Sequence, residues 1–548
     1  MNKTILKFSM AAAIAFLLPS YAAYAEDTWS SDIASSFSAG SGSDTDPYVI
    51  STGAELAYLA QEVNAGNESY NSAYYILEDD IDLASNPWTP IGLDNAFYGV
   101  FDGNGKTITN LNSNQTDKNS GLFALNVGTV KNLTLGSGTV GMTIDKGTEN
   151  TYSAGMIAVN NGTVENCVNY ADIQATSTSL LFSDVICIGG IVGFDTTSTV
   201  TGHSSIIDCA NYGDVTGICT AASNNLTQIY GGGICGYISG GIIKDRYSVM
   251  DGCTNYGEIN VSGVRTARAG GLSGYAETQS SASVSALDRC IIIRNSANKN
   301  QVSASGSYCM TGGLVGYPYR SNTIISNCYN TGDVSGSQNS GGLFGLSTCT
   351  AANCYNSGTV SGSTVGAVAG KKSGGTISNC YALTNTAAKL SGSGTITDCA
   401  FFNEDTDGEF TVSGTSYNKL TDALNAWVAL SENGTIYKSW ELSGSTPEFK
   451  LPDSGEFTLS EITAYTSDNE PYDKGFSVSV KNNYSEDKTI SGIIWNLNDS
   501  DNKKSEYTQT DMATVTLEKG ATVSYGIIIR GTAQDSAANI SVSSVEVE

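Results

Sequence analysis

Few residues of this chain are suited to acid–base or nucleophilic chemistry. The one histidine, His203, lies in the Thr/Ser/Gly-rich stretch TSTVTGHSS, which is typical of a solvated loop. The densest acidic group of the repeat region is Asp79, Asp80 and Asp82. Alternation along a strand puts Asp80 and Asp82 on one face and Asp79 on the other. The three carboxylates suit a structural Ca²⁺ site, with a scaffold role as the alternative, and no other cofactor is expected.

An enzyme that acts on polysaccharides is the main catalytic alternative. Hydrolases need two carboxylates about 5–10 Å apart, and lyases need a cation beside a Ca²⁺-binding carboxylate. None of the arginines in the repeat region has a carboxylate partner at repeat spacing, and no nucleophile elbow, zinc motif or phosphate loop is present. These arginines are Arg246, Arg265, Arg268, Arg289, Arg294 and Arg320. The sequence therefore predicts no catalytic residues. A groove in which two carboxylates, or a carboxylate and an arginine, converge would favour a lyase or glycosidase instead.

Tyrosines offer a different chemistry, because their rings can stack on sugars. The candidates for ligand binding are Tyr230, Tyr237, Tyr275, Tyr317 and Tyr319. The alternative is that these residues only pack, since most of them follow a recurring glycine phrase.

That phrase is a glycine pair followed by an apolar, a variable and a small residue. It occurs as GGIVG (189–193), GGICG (232–236), GGLSG (270–274), GGLVG (312–316) and GGLFG (341–345), with decayed copies AGMIA (154–158) and VGAVA (365–369). A second phrase, of the type ISNCYNTG, follows each copy, and Cys328, Cys354 and Cys380 are spaced 26 residues apart. The units are rich in Gly, Ser, Thr, Val, Ile and Tyr, which favours strands. Units this small must stack on their neighbours, so the pattern predicts a solenoid with one three-stranded coil per repeat.

The cysteines test this prediction. Their number, 13, is odd, and eight of them share one repeat slot: Cys167, Cys209, Cys253, Cys290, Cys328, Cys354, Cys380 and Cys399. GTVKNLTL (128–135) aligns with GTVENCVN (162–169), so Leu133 stands where Cys167 stands, and a position that accepts Leu is a packing position. Successive coils lie about 4.8 Å apart, which leaves occasional cross-coil disulfides open. An asparagine follows two residues after the cysteine in most repeats, and these side chains are predicted to form an amide ladder: Asn169, Asn211, Asn255, Asn330 and Asn356.

The N-terminus and the net charge bear on where the protein works. Residues 1–25 have a basic start, an apolar middle and Ala23-Tyr24-Ala25, which predicts a secretory signal peptide cleaved after Ala25. Without Lys3 and Lys7 the formal charge of −27 becomes −29. Such an acidic surface argues against nucleic acid and against anionic lipid as partners. No later apolar stretch is long enough to span a bilayer.

A run near the N-terminus carries a family resemblance. DPYVIST, ELAYLAQEVN, YYILEDDIDL, WTPIG, FDGNGKTITNL and GLFALNVGTVKNLTL together resemble the N-terminal part of bacterial GLUG-motif surface proteins, and GGLVG and GGLFG resemble the GLUG motif itself. The resemblance covers roughly residues 28–450. It implies a right-handed parallel β-helix in an exported, adhesin-like protein, and it implies no particular reaction.

The predicted organisation is therefore all-β with short helical caps. Residues 26–72 form an N-terminal cap whose helix starts at the capping box Thr52-Gly53-Ala54-Glu55. Residues 73–403 form the parallel β-helix, and residues 404–455 form a C-terminal cap and linker that contains the helical pattern YNKLTDALNAW. Residues 456–548 lack cysteine, show alternating strands and are predicted to form an Ig-like β-sandwich. Four Ser/Thr-rich segments, 172–187, 214–229, 237–249 and 275–288, are predicted to be enlarged corners suited to recognition.

These observations predict a non-enzymatic, secreted or surface-displayed scaffold that adheres to an extracellular glycan, a host surface or a neighbouring cell. The alternatives are the polysaccharide lyase or glycosidase described above and a structural surface-layer or stalk component, which would have smooth corners and no concave site.

Overall fold

The computed structural model describes residues 28–116, 118–145, 150–178, 185–197, 203–220, 227–240, 247–278, 291–383, 386–396, 398–402, 410–430, 437–443 and 446–449, together with eight strands between residues 457 and 547. The predicted signal peptide, residues 1–25, lies outside the described residues. The chain divides into two compact units, Met1–Thr406 and Asp407–Glu548.

The first unit is a parallel β-helix, as predicted, whose coils add strands to three long parallel sheets. Sheet 1 has 21 strands in two ladders. Its first ladder contains Tyr48–Ile50, Tyr74–Leu77, Val100–Asp102, Thr129–Lys131, Thr163–Glu165, Ser204–Ile207, Ser248–Asp251, Ile291–Arg294, Thr323–Ser326, Thr350–Ala352, Thr376–Leu383 and Asp398–Phe402. Its second ladder contains Ile81–Asp82, Thr107–Thr109, Thr134–Leu135, Val168–Asn169, Ala210–Asn211, Thr254–Asn255, Ala297–Asn298, Tyr329–Asn330 and Tyr355–Asn356.

Sheet 2 also has two ladders, which merge where the coils become short. The first contains Leu111–Thr116, Gly138–Ile144, Asp172–Ser177, Val215–Cys219, Ile259–Ser262, Val302–Ser305, Val334–Gly341 and Val360–Gly366. The second contains Thr151–Ala154, Val185–Gly189, Gln228–Gly232, Thr266–Gly270 and Tyr308–Gly312, and its last strand pairs with Val334–Gly341. The described parts of the four segments predicted to be enlarged corners are therefore largely strand. Residues 172–187, for example, hold Asp172–Ser177 and Val185–Gly189, because alternating Ser/Thr residues suit the outer face of a strand.

Sheet 3 follows the glycine phrase in each coil. Its strands are Phe123–Asn126, Ile157–Asn160, Val192–Thr196, Cys235–Gly240, Ser273–Thr278, Val315–Tyr319, Phe344–Ser347, Ala369–Lys372 and Ser391–Ser393. The register corrects one copy of the phrase. Gly341 pairs with Gly366 and Phe344 with Ala369, so the last copy is Gly366–Gly370 and not 365–369.

The predicted cysteine slot is a packing position inside the solenoid. Leu133, Cys167 and Cys209 are at most 1% exposed, and the twelve cysteines in the described part of the chain form no disulfide. The prediction was wrong at one coil. Thr254 pairs with Ala297, so Ser296 occupies the slot that was assigned to Cys290. A serine fits there because its hydroxyl donates to the carbonyl of Arg294 at 2.7 Å, as the thiols of the slot do two residues back.

The predicted amide ladder is also confirmed. Each side chain donates from Nδ2 to a carbonyl two residues ahead, and each except the last, Asn356, also donates to Oδ1 of the next coil at 2.7–2.9 Å. The amides are therefore satisfied although they are fully buried. The sequence prediction missed Asn298, which closes the row between Asn255 and Asn330.

A second asparagine row separates the two ladders of sheet 1. These residues have positive φ values of 47–57°, a conformation that asparagine tolerates better than most residues. They are Asn132, Asn166, Asn295, Asn327, Asn353 and Asn379. All but Asn379, which lies within the strand Thr376–Leu383, interrupt the strand, so that their coils contribute two short strands to this sheet.

A third, shorter polar row ends on a carboxylate in sheet 3. Asn126 donates to Asn160 at 2.9 Å, and Asn160 donates to Asp195 at 2.8 Å. Ser204 also donates to Asp195 at 2.8 Å. Burial raises the pKa of Asp195 to about 6, although hydrogen bonds from Asn160, Ser204 and Ser248 lower it in part.

The N-terminal helix Gly53–Asn64 begins at the predicted capping box. The amide of Glu55 donates to Oγ1 of Thr52 at 3.2 Å, and the Glu55 carboxylate accepts from the amides of Ser38 and Ser51. The apolar face of the helix, including Leu56, Leu59 and Val63, is part of the solenoid core cluster. A short helix, Glu68–Asn71, follows.

The second unit begins with a hairpin, Phe410–Val412 and Thr415–Tyr417, the helix Leu420–Val428 and a second hairpin, Trp440–Ser443 and Thr446–Phe449. The remaining strands form two four-stranded antiparallel sheets. One sheet contains Phe457–Leu459, Thr463–Tyr465, Asp473–Asn482 and Thr522–Arg530. The other contains Lys488–Asn498, Lys504–Gln509, Val515–Leu517 and Ile540–Val547. The assignment of an Ig-like sandwich stays a prediction.

Candidate functional site

The five tyrosines proposed from the sequence lie in one cluster. Tyr230 comes from a strand of sheet 2, and the other four come from three successive strands of sheet 3. The ring centroids are 5.7 Å apart for Tyr230–Tyr237, 5.1 Å for Tyr237–Tyr275, 5.5 Å for Tyr275–Tyr317 and 5.3 Å for Tyr317–Tyr319. The cluster is separate from the main core of the solenoid.

Two aromatic residues missed by sequence reasoning extend the row. Tyr152 stacks on Phe194 at 4.8 Å, and Phe194 stacks on Tyr237 at 4.9 Å. Phe194 pairs in register with Tyr237, one residue after the glycine phrase in each coil, so the repeat position was the signal that would have found it. We call Tyr152, Phe194, Tyr230, Tyr237, Tyr275, Tyr317 and Tyr319 the tyrosine cluster.

The glycine phrase explains why side chains of two sheets meet here. A Cβ on Gly236 would lie 2.7 Å from the backbone oxygen of Gly193 and from the backbone nitrogen and oxygen of Ile188. A Cβ on Gly189 would overlap the carbonyl of Val192. The strands before and after the phrase therefore approach each other at backbone contact, and a side chain at either position would force them apart.

The packing interpretation holds for part of the cluster. Tyr230 and Tyr275 are 3% and 8% exposed, whereas Tyr237, Tyr317 and Tyr319 are half-buried and reach the surface. Burial raises the pKa of the Tyr230, Tyr237 and Tyr275 phenols above the ordinary value. These phenols stay protonated at neutral pH and so act as hydrogen-bonding groups rather than as bases.

Two arginines bring positive charge to the cluster. The guanidinium carbon of Arg268 lies 4.0 Å from the Tyr275 centroid, 4.6 Å from Tyr230 and 5.3 Å from Tyr317. That of Arg320 lies 4.9 Å from the Tyr319 centroid. Nε and Nη1 of Arg268 and Nε of Arg320 are buried and make no hydrogen bond within the described part of the chain.

One carboxylate belongs to the same neighbourhood. The hydroxyl of Tyr237 donates to Glu277 at 3.2 Å, and Glu277 lies on the strand that carries Tyr275. A carboxylate and an arginine thus do converge at one site, which the sequence analysis named as the feature that would favour an enzyme. The sequence could not pair Arg268 with Glu277, because the two lie on different strands that meet only at the glycine corner.

The acidic group proposed for calcium lies elsewhere, in the first coils. Asp80 accepts from the amide of Thr107 at 2.7 Å, and Asp82 accepts from the amide of Ala84 and from Asn110 at 2.7 Å each. Asp79 is exposed. Across the residues that the structure describes, no three His, Cys, Asp or Glu side chains are grouped so as to hold a metal ion. Hydrogen bonds to turns account for Asp80 and Asp82, and the Ca²⁺ site stays a prediction.

The repeat architecture and its aromatic corner define a parallel β-helix repeat protein. This chain carries the GLUG motif: residues 307–335, which include Tyr317, Tyr319 and Arg320, match the family model described as "The GLUG motif". Within the described residues, no helix has the length and apolar character needed to cross a membrane.

The chain is also similar to halomucin from Haloquadratum walsbyi, with 31% identity over 179 residues. This match covers 30% of the chain but only 2% of halomucin. Among solved structures, a putative immunoglobulin A1 protease from Bacteroides ovatus aligns with 18% identity and a TM-score of 0.37, over 76% of this chain and 95% of that one.

Proposed function

We propose that this protein is an exported, non-enzymatic β-helix scaffold that binds an extended glycan at the tyrosine cluster. The observation that carries the proposal is the row of rings along sheet 3, one coil after another, at the corner where sheets 2 and 3 meet. Tyr237 and Tyr317 of this row are partly exposed, and Tyr275 between them is buried. Because the parallel register repeats the position in each coil, the row runs along the solenoid axis. A row of this kind suits a chain-like ligand.

The chemistry of the cluster supports binding to sugars. Tyrosine combines an apolar ring with a polar hydroxyl, and both match the alternating apolar faces and hydroxyl groups of a sugar. Tyr237, Tyr317 and Tyr319 reach the surface, and the buried rings of Tyr230 and Tyr275 hold them in place. Such preorganised rings lose little side-chain entropy when a ligand binds.

The location proposed for this scaffold is the cell surface or the medium. The signal-peptide pattern of residues 1–25, the GLUG motif and the similarity to halomucin support it. The partner would then be an extracellular glycan, on a host surface or on a neighbouring cell.

A polysaccharide lyase is the second candidate, because Arg268 and Glu277 lie in the same cluster. A lyase needs a group that removes a proton from the sugar. The phenols are poor bases because burial raises their pKa, and Glu277 already accepts a hydrogen bond from Tyr237. These features favour binding without turnover.

The proposal is tested by screening the full chain on a glycan array and then measuring the affinity of the Tyr237→Ala and Tyr317→Ala variants. We expect at least a ten-fold loss of affinity in each variant, about 1.4 kcal/mol. Tyr308→Ala is the matched control, because Tyr308 is 52% exposed and lies outside the cluster.

Three outcomes would contradict the proposal. Release of unsaturated sugars or of new reducing ends would identify an enzyme. Equal losses in Tyr308→Ala and Tyr237→Ala would move the site away from the cluster. The absence of any glycan binding would favour a structural surface component.

A further inference from the structure

We infer that the glycan recognised at the tyrosine cluster is acidic, with a carboxylate or sulfate group held by Arg268. This inference rests on the function proposed above and narrows it to one class of polysaccharide.

The first argument is the state of the Arg268 side chain. Its guanidinium lies against Tyr230, Tyr275 and Tyr317, and Nε and Nη1 are buried there without a hydrogen-bond acceptor in the described part of the chain. Cation–π contacts stabilise the charge but do not satisfy the N–H groups. A buried donor without an acceptor is destabilising, so a ligand that supplies an acceptor relieves this cost and binds more tightly.

The second argument is the charge of the unsatisfied donors. Nε–H and Nη1–H of Arg268 belong to a guanidinium that is always charged, and a hydrogen bond from a charged donor to a carboxylate or sulfate oxygen is stronger than one to a neutral acceptor. A carboxylate or a sulfate offers two or more anionic oxygens, whereas a sugar hydroxyl offers a single uncharged acceptor. The missing acceptor is therefore better supplied by an acidic group than by a neutral sugar.

Among the described residues, no carboxylate forms an ion pair with Arg268 or Arg320. The ion pairs in the described part of the chain are Lys131–Asp102 and Arg294–Asp251, and neither involves Arg268 or Arg320. Glu277, the carboxylate in the cluster, is hydrogen-bonded to Tyr237. Arg268 and Arg320 therefore have no carboxylate partner within an ion-pair distance in the described part of the chain, and an acidic group of a ligand can supply one.

Arg320 extends the pattern along the axis. It follows the strand Val315–Tyr319, one coil after the strand that carries Tyr275, and its Nε is also buried without an acceptor. Arg268 contacts Tyr317, and Arg320 contacts Tyr319. The two arginines thus contact Tyr317 and Tyr319, two of the rings that reach the surface. This arrangement suits a polymer with more than one acidic group.

The test uses the full chain and an array of matched oligosaccharide pairs. Each pair contains an acidic member, such as a galacturonate hexamer or a sulfated oligosaccharide, and its methyl-esterified or desulfated counterpart. We expect the acidic members to bind at least ten-fold more tightly than their neutral counterparts. Arg268→Gln should reduce this ratio to near one, and Arg268→Lys should keep part of it. Arg265→Gln is the control, since Arg265 lies near in sequence but is exposed and contacts Tyr308, outside the cluster.

The outcomes separate this inference from the proposed function. Equal binding of both members, weakened by Tyr237→Ala, would overturn the acidic ligand and keep the glycan site. Binding to neutral glycans alone would do the same. Binding to neither member of any pair, nor to any other glycan, would overturn both. If Arg268→Gln lowers the melting temperature strongly, Arg320→Gln replaces it, and we expect a three-fold or larger loss for acidic members only.

Discussion

The interior of the solenoid and the tyrosine cluster are built from the same repeats but in opposite ways. In the interior, successive coils supply an asparagine at the same position, and Asn211, Asn255 and Asn298 each donate to the asparagine of the next coil. In the cluster, successive coils supply Cys187, Tyr230 and Arg268 at one register position, and guanidinium nitrogens are left without acceptors. The regular rows satisfy their own polar groups, whereas the irregular position leaves polar groups that the proposed ligand would satisfy.

The largest effect is expected from breaking the amide ladder with Asn255→Ala. Asn255 donates to Asn298 and Gly257, and it accepts from Asn211 and Gly257, all within the buried interior. Losing these bonds leaves several buried groups without partners, and we expect the free energy of unfolding to fall by about 4 kcal/mol. Urea unfolding followed by circular dichroism measures this. Asn300→Ala is the control, because Asn300 is exposed and water can replace its bonds. Equal losses would show that the ladder adds nothing.

The second prediction concerns Asp195, an ionisable carboxylate at the end of an otherwise uncharged interior row of asparagines. A folded-state pKa of about 6, against 3.8 for an ordinary aspartate, means that the folded protein binds the proton more tightly. Stability from this group is therefore highest below pH 3.8 and falls as pH rises to about 6, by about 3 kcal/mol in total.

Asp195→Asn removes this titration and can still accept the hydrogen bond from Asn160. We expect the variant to be more stable than the parent at pH 7.5, by about 3 kcal/mol. Its advantage should shrink by about 1.5 kcal/mol at pH 5. Urea unfolding at the two pH values measures both. A difference that does not change with pH would contradict the prediction.

A third change, Gly236→Ala, tests the corner that joins the two regions. The added methyl would press on the backbone of Gly193 and Ile188, and we expect a loss of about 2 kcal/mol. Gly374→Ala is the matched control, since a Cβ there meets only ordinary contacts with Thr348 at 3.5 Å or more. The melting temperatures of both variants measure this. An unchanged melting temperature in Gly236→Ala would mean that the sheets do not need backbone contact.

The smallest effect on stability is expected in the cluster itself. Tyr237→Ala removes a half-buried ring that contacts Phe194 and Tyr275 and donates to Glu277. Because solvent already reaches this ring, we expect a loss of about 1 kcal/mol, well below that of Asn255→Ala. The same unfolding experiment measures it. A loss as large as that of the ladder variant would make the cluster a structural element.

Much of the fold was predictable because each coil repeats the same packing problem. Leu133 in the place of Cys167 identified a buried slot, and Thr52 with Glu55 identified the start of a helix. Cys290 was assigned to this slot because the repeat was recognised by its cysteine. The residue in the slot is Ser296, which resembles cysteine in size and in its hydrogen bond but not in residue type.

The site was predictable only in part. Four of the five tyrosines were visible because they follow or lie close to the glycine phrase, and Tyr230 was visible because it precedes one. The sequence did not predict the contacts of Arg268, because Tyr275 lies on another strand and Tyr317 lies on a strand of the next coil. Contacts across a corner depend on the backbone approach of Gly193 and Gly236, which spacing alone does not reveal.

The amide ladder has a consequence for how long this molecule can be. Within the ladder, each asparagine bonds to an identical side chain in the neighbouring coil. Deletion of the whole coil from Cys328 to the residue before Cys354 would therefore bring Asn298 opposite Asn356, and the same hydrogen bond could form. The solenoid could thus be shortened or lengthened by whole coils, in steps of about 4.8 Å, without a new kind of contact between coils.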